Sequence, residues 1–250
     1  MEQRLQDHIE HYRSDGEEFD YFHVDNPAIR EEERRRMQLL SRSVKFKSGQ
    51  YILDAGSGNG WVSKTFLKKG VFICALDLSL KNLKGIRERY DAGNMGGYVI
   101  ADLYRLPFKD KSFHGATSND VYEHLEFLDN ATVELRRILR DDAKVFVSTP
   151  YKENIVYYLC IHCNKKTPIN AHLHSFDEES LGGVFTRNNF RIASISKFIN
   201  RGMSILLIYY LFCRWMPYWM WRSIDVIANC VIRRPGRIGL RLLAVGGNSR

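Results

Sequence analysis

Cysteine is scarce in this chain: five in 250 residues, an odd number. So few thiols exclude a disulfide scaffold, and the expectation is reduced cysteines. No basic-then-apolar leader stands at Met1-Glu2-Gln3-Arg4, so a cytoplasmic setting is expected. Internal repeats and low-complexity segments are absent, which excludes repeat arrays and linker-like chains. No apolar run is long enough to span a bilayer. The stretch from Met203 to Cys213 would rise only about 16 Å as helix, against a hydrocarbon core of about 30 Å. The last fifty residues lack lysine and hold one acid, Asp225, against eight arginines. They therefore carry +7 of the net charge of +8, and the first 200 residues carry +1. A basic chain suggests nucleic acid, but the main body here is nearly neutral. Arginine mixed with tryptophan and leucine suits an anionic membrane surface better than a duplex. Nucleic acid is not an expected partner.

What the sequence does have is Tyr-Ile-Leu-Asp-Ala-Gly-Ser-Gly-Asn-Gly at 51–60. Ile52 and Leu53 read as the end of a buried strand. Gly56, Gly58 and Gly60 then turn the chain, and Trp61, Val62 and Phe66 begin a helical apolar pattern. Strand, glycine turn and helix make a nucleotide-cradling unit, because glycine lets the backbone approach a ligand closely. The spacing is Gly-x-Gly-x-Gly. The dinucleotide pattern Gly-x-Gly-x-x-Gly would need its third glycine where Trp61 stands. A second strand, Val71 to Leu76, ends in Asp77, an acid placed to accept from both ribose hydroxyls of a nucleoside. Gly97 to Ala101 reads as a third strand before Asp102 and Leu103. A fourth ends at Ser118-Asn119-Asp120, with Val121 to Leu125 opening a helix. Lys144 to Thr149 is a fifth, closed by Pro150.

These signals, in this order and spacing over roughly 45–198, resemble the class I S-adenosylmethionine (SAM) dependent methyltransferases. The resemblance implies an α/β, Rossmann-like seven-stranded sheet, mostly parallel with an antiparallel last strand and helices on both faces. It implies SAM as cofactor, held by Asp54, Gly56, Gly58, Gly60, Asp77, Leu78, Asp102, Leu103 and Asn119, with Asp102 facing the adenine amino group. Phe190 to Phe198 fits the sixth strand, and Leu240 to Val245 the antiparallel seventh.

Four regions follow. Residues 1–47 are a helical N-terminal cover in which Tyr21 and Phe22 are candidates to close over the cofactor. A helix is expected over Ile29 to Val44 behind Pro27, with Glu31-Glu32-Glu33 and Arg34-Arg35-Arg36 on a solvated face. Residues 48–200 are the SAM-binding core, within which Tyr151 to His174 is expected to be irregular. Residues 201–237 are an apolar, arginine-rich insertion, and 238–250 the final strand and tail. The insertion begins on the rim where ligands of such sheets bind. Trp215, Trp219 and Trp221 cluster there between flanking arginines, as in an interfacial segment. A buried or dimerising hairpin is the alternative, and oligomeric state is left open.

The expected function is transfer of a methyl group from SAM, with oxygen favoured as acceptor, to a small-molecule or lipid-linked acceptor having a lipidic or aromatic part. A soluble acceptor and a non-catalytic scaffold at a membrane are the rivals. A hydroxyl acceptor needs a base. His124, just beyond the fourth strand, is the leading catalytic candidate, ahead of His172 and His174. Cys160-x-x-Cys163 with His172-x-His174 has the composition of a zinc site. The histidine spacing is wrong for one, and no metal is expected there.

Overall fold

In the computed structural model, residues 2–23, 26–90, 93–161 and 164–244 are described. Two helices lead, α1 (Glu2–Glu18) and α2 (Pro27–Val44). The core alternates β1 (Tyr51–Ala55), α3 (Trp61–Phe66), β2 (Phe72–Asp77), α4 (Leu80–Tyr90), β3 (Met95–Ile100), β4 (Phe113–Asn119), α5 (Leu128–Ile138) and β5 (Leu139–Pro150). A small hairpin, β6 (Tyr157–Leu159) and β7 (Lys166–Pro168), occupies the stretch expected to be irregular. Then come α6 (Glu178–Thr186), β8 (Phe190–Asn200), α7 (Arg201–Ile205), α8 (Ile208–Leu211), α9 (Tyr218–Val231) and β9 (Pro235–Ala244).

The main sheet has the order β3-β2-β1-β4-β5-β9-β8. β9 runs antiparallel to both its neighbours, and the other six strands are parallel to one another. This is the seven-stranded arrangement expected. The central residues of β1, β4 and β5 (Ile52 and Leu53, Ala116 and Thr117, Val145 to Val147) are buried on both faces, as a sheet covered on both sides requires. One face packs Leu53, Val145, Leu135 and Phe185 with α5 and α6. The other packs Ile52, Ile73 and Phe146 with α2 and α3. The strand order reverses between β1 and β4, and ligands of open α/β sheets bind beyond the carboxyl ends of the strands at such a point.

Helix α2 starts where the sequence places it. Asn26 accepts from the Ala28 amide at 2.9 Å and Pro27 takes the first turn, where a missing N–H costs nothing. Its charge run is not a solvated face, and this corrects the expectation. Glu31, Glu33, Arg35 and Arg36 are buried. Arg35 donates to Glu31, to Gln38 and to the carbonyls of Cys213 and Met216. The insertion covers this side of α2 and needs donors for its own exposed carbonyls.

Strand β8 ends at Asn200 and β9 starts at Pro235, so the segment between these two strands runs from Arg201 to Arg234. Its apolar run is not one helix. Leu207 adopts the left-handed conformation (φ 54°) and divides α7 from α8. Asp225 holds the unit together. It accepts from Tyr209, Arg222, Asn229 and the Asn200 amide, so α8, α9 and the end of β8 share one buried carboxylate. A second correction concerns the tryptophans. Trp215 and Trp219 are 80% and 67% exposed, but Trp221 is fully buried against Tyr209, Tyr218 and Arg35. Among the described residues no helix is long and apolar enough to cross a membrane.

Candidate functional site

The glycine turn joins β1 to α3 with all three glycines in the left-handed region: Gly56 at φ 73°, Gly58 at 46° and Gly60 at 73°. A Cβ on Gly56 would meet Val121 at 2.4 Å, whereas a Cβ on Gly58 would project into open space. The first glycine is thus required by packing, and the second leaves a hollow. Asp77, at the end of β2, fastens the turn. Its carboxylate accepts from the Gly58 amide at 2.8 Å, from the Ser79 amide at 2.9 Å and from the Asn82 side chain at 3.4 Å. A carboxylate offers about four acceptor sites, so capacity for a further hydroxyl donor remains. Burial raises the Asp77 pKa, against the backbone donors that lower it.

Asp54 is buried, and one of its oxygens accepts from Thr117 at 2.8 Å. Burial pushes its pKa up to about 7. Its other oxygen, with the hydroxyls of Ser57 and Ser118, is buried without a hydrogen-bond partner. Unmet polar atoms beside a hollow at Gly58 fit a polar nucleoside ligand. Asp102 follows β3 and is turned by its own bond from the Tyr104 amide. Leu78 is half-buried and Leu103 buried. Asn119 accepts from Ser148 at 2.8 Å at the end of β4. The sequence-derived set therefore falls at the carboxyl ends of β1 to β4, around the switch point.

The N-terminal segment lies over this cleft. Gly16 is pressed against Ser79, where a Cβ would sit 2.3 Å from the serine Cβ. The Tyr21 carbonyl accepts from Asn59, and Phe22 packs against Gly85 beneath Arg89. Tyr12 reaches the far side and meets the His124 ring edge-on at 5.2 Å. Tyr12 and Gly16 were not singled out from the sequence, because no local pattern marks which face of α1 covers a cleft.

His124 sits in a 3-10 turn, Tyr122–His124, just after β4. Its Nδ1 lies 3.3 Å from the Ala171 carbonyl, and the His172 ring is 4.7 Å away. Burial and His172 hold its pKa down to about 4, so the ring is neutral near pH 7 and a weaker base than a free histidine. The Nε2 of His174 bonds the Leu125 carbonyl at 2.8 Å, away from this group. Cys160 is half-buried, and Cys163 lies outside the described residues. Sequence reasoning also missed an ion cluster at the cleft's rim. Asp120 takes Arg36 from α2 and Arg237 from β9, and Arg36 also bonds Glu33. Against the burial that would raise it, Arg237 and Arg36 hold the Asp120 pKa at about 2.

Residues 53–147 match the family described as methyltransferase domain. This stretch of the chain carries a methyltransferase domain. Over 98 residues it is 39% identical to malonyl-[acyl-carrier protein] O-methyltransferase of Erwinia pyrifoliae, covering 39% of this chain and 36% of that protein. It is 31% identical over 116 residues to demethylmenaquinone methyltransferase of Renibacterium salmoninarum, covering 46% and 47%. The match thus spans less than half the length of these relatives. Among solved structures, the cyclase SpnF superposes with a TM-score of 0.63 at 16% identity, over 85% of this chain and 81% of that one. The Burkholderia thailandensis 1,6-didemethyltoxoflavin-N1-methyltransferase, bound to its acceptor and S-adenosylhomocysteine, gives 0.58 at 16% identity, over 86% and 78%. At such identity these likenesses speak for the fold of the methyltransferase domain alone.

Proposed function

We propose that this protein transfers a methyl group from SAM to an oxygen of an acceptor with a lipidic or aromatic part, while docked on an anionic membrane surface. The observation that carries the catalytic half is the cradle itself: the Gly58 hollow, the Asp77 carboxylate tied to it, and the unmet polar atoms of Asp54, Ser57 and Ser118. SAM supplies a methyl group already activated on a sulfonium. The chain's task is positioning and exclusion of water, which can lower a barrier by several kcal/mol. Asp77 has acceptor capacity for a ribose hydroxyl, with a second one able to take the place of the long Asn82 bond, and Asp102 and Leu103 are the residues we assign to the adenine. Helix α1 and Tyr21 keep water from the cleft. His124 is the group we assign to the acceptor's oxygen, at the far end of the cleft beneath Tyr12.

The membrane half rests on the insertion. Ile205, Leu206, Leu211, Phe212, Trp215 and Trp219 are exposed together on or beside α7 to α9, with Arg201 and Arg214 exposed among them. Exposed apolar surface of this kind marks an interaction site. A groove of about 710 Å³ adjoins it between α2, α3 and α8, where Arg30, Arg34, Lys64, Lys69 and Arg214 outnumber one acid, Glu31. Trp61, the residue after Gly60, forms part of its wall. Positive groove and apolar patch share α8 and the segment after it, which suits a surface bearing both phosphate and acyl chains.

Calorimetry with S-adenosylhomocysteine tests the first half. One site per chain is expected, and Asp77→Ala should weaken it by about 1–3 kcal/mol, the loss of charge-assisted bonds. Equal or tighter binding of NAD would overturn the assignment. The acceptor is found by incubating the protein with methyl-labelled SAM and a membrane extract. Label that appears only in water-soluble products would refute the lipidic acceptor.

A further inference from the structure

We propose that Glu123, His124 and His172 form a binding site for one first-row divalent metal ion on the acceptor side of the cleft. Each residue offers one ligand atom, and these atoms lie within 4.8 Å of one another. Zinc-like bonds of about 2.0–2.2 Å place ligand atoms about 3–3.5 Å apart, so the three need to draw together by about an ångström. Two imidazoles and one carboxylate suit zinc, manganese, iron or cobalt far better than calcium or magnesium.

Two independent observations support the site. Both carboxylate oxygens of Glu123 are buried without a hydrogen-bond partner, on a residue only 1% exposed. A buried carboxylate left so is costly, and a cation is a remedy. Both histidines are also held as metal-bound histidines usually are, with one ring nitrogen fixed by an oxygen. Nδ1 of His124 faces the Ala171 carbonyl, and Nδ1 of His172 faces the Glu153 carboxylate. In each ring Nε2 is the nitrogen left for the ion.

The backbone brings the group together across nearly fifty residues of chain. The amides of Leu173 and His174 both donate to the Glu123 carbonyl, at 2.7 and 3.2 Å. Ala171 adopts the left-handed conformation, φ 54°, and this turn sets its carbonyl against His124.

Three protein ligands leave a coordination position open. That position would take the acceptor's oxygen, so that with the ion bound His124 acts on this oxygen through the metal and not by direct contact, and a cation there would favour its ionised form. This role rests on the methyl-transfer reading, whereas metal binding itself does not.

The test uses the full chain, stripped with a chelator and titrated with Zn²⁺ by calorimetry and with Co²⁺ by visible absorption. One equivalent should bind, with a cobalt spectrum free of thiolate charge-transfer bands. Glu123→Gln and His172→Ala should each weaken binding at least tenfold. Glu153→Gln, which removes only the carboxylate behind His172, should weaken it by 10- to 100-fold. S-adenosylhomocysteine affinity should stay unchanged in Glu153→Gln, so failure of the metal site and failure of the cofactor site are separate outcomes. Should Glu123→Gln fail to fold, His172→Ala and Glu153→Gln carry the test. Absence of stoichiometric binding would overturn the inference. So would an equivalent lost in Cys160→Ser but kept in His172→Ala.

Discussion

The three tryptophans of the insertion have different fates, and alanine substitution separates them. Trp221 is fully buried between Tyr209 and Tyr218 with the Arg35 guanidinium 5.4 Å from its ring. Truncating a buried aromatic to alanine costs about 3–5 kcal/mol. In a domain of this size each kcal/mol shifts Tm by about 2–4 °C, so Trp221→Ala should melt about 6–20 °C lower. Trp215 and Trp219 are mostly exposed, and such positions change stability by about 0.5 kcal/mol or less. Their effect belongs to the membrane. Full burial of an aromatic side chain is worth about 1.5–3 kcal/mol, so Trp215→Ala with Trp219→Ala should lower vesicle partitioning by at least about tenfold. Arginines near an anionic surface add about 1 kcal/mol each. The Debye length falls from about 8 Å at physiological ionic strength to about 3 Å at 1 M salt, so wild-type binding should fade across that range. The assays are co-sedimentation with vesicles containing anionic phospholipid and thermal melting of the same variants. Two results would refute the reasoning: a wild-type protein that ignores anionic vesicles at low salt, or a Trp215/Trp219 variant that melts as low as Trp221→Ala.

Further outcomes follow from the cleft. Gly58→Val should fold, because its side chain enters open space, with a penalty of about 1–2 kcal/mol for the left-handed backbone. It should nonetheless lose S-adenosylhomocysteine binding in calorimetry. Gly56→Ala should instead lower Tm, since its Cβ strikes Val121 at 2.4 Å. Asp120→Asn leaves Arg237 facing a neutral group and Arg36 with Glu33 alone, and chemical denaturation should show a loss of about 2–3 kcal/mol. The Asp120 pKa is held near 2, below its ordinary value of about 3.9. Its contribution, about 2.6 kcal/mol at most, is therefore complete above about pH 4 and disappears as pH falls through about 2. The acid-unfolding midpoint of Asp120→Asn should move less than that of wild type over this window.

Much of the sheet and the glycine turn after β1 was legible because the rules that set them are local. Gly56, Gly58 and Gly60 are needed where the backbone must run left-handed, and Asp77 needs only to end a buried strand. The capped start of α6, with Asp177 and Ser180 exchanging bonds, is likewise written in four consecutive residues. What stayed hidden depends on partners far along the chain. Arg35 looks solvated among seven consecutive charges, and only the carbonyls of Cys213 and Met216 give it a buried role. Glu123 meets His172 through a chain reversal with no sequence signature. One miss had a local signal. Trp219 and Trp221 are two residues apart and so fall on opposite sides of a helix. Trp221, Asp225 and Ala228, at positions i, i+4 and i+7, are the buried face of α9.

Helix α1 spans both ends of the cleft. Near its carboxyl end Gly16 presses on Ser79 beside the Asp77 cradle, and one turn earlier Tyr12 leans on His124. These two contacts are made by a single stiff rod, with three residues between them. Any displacement of this helix from Ser79 also lifts the tyrosine from the histidine. The proposed cofactor end and the proposed acceptor end thus share one cover and are not closed by separate elements.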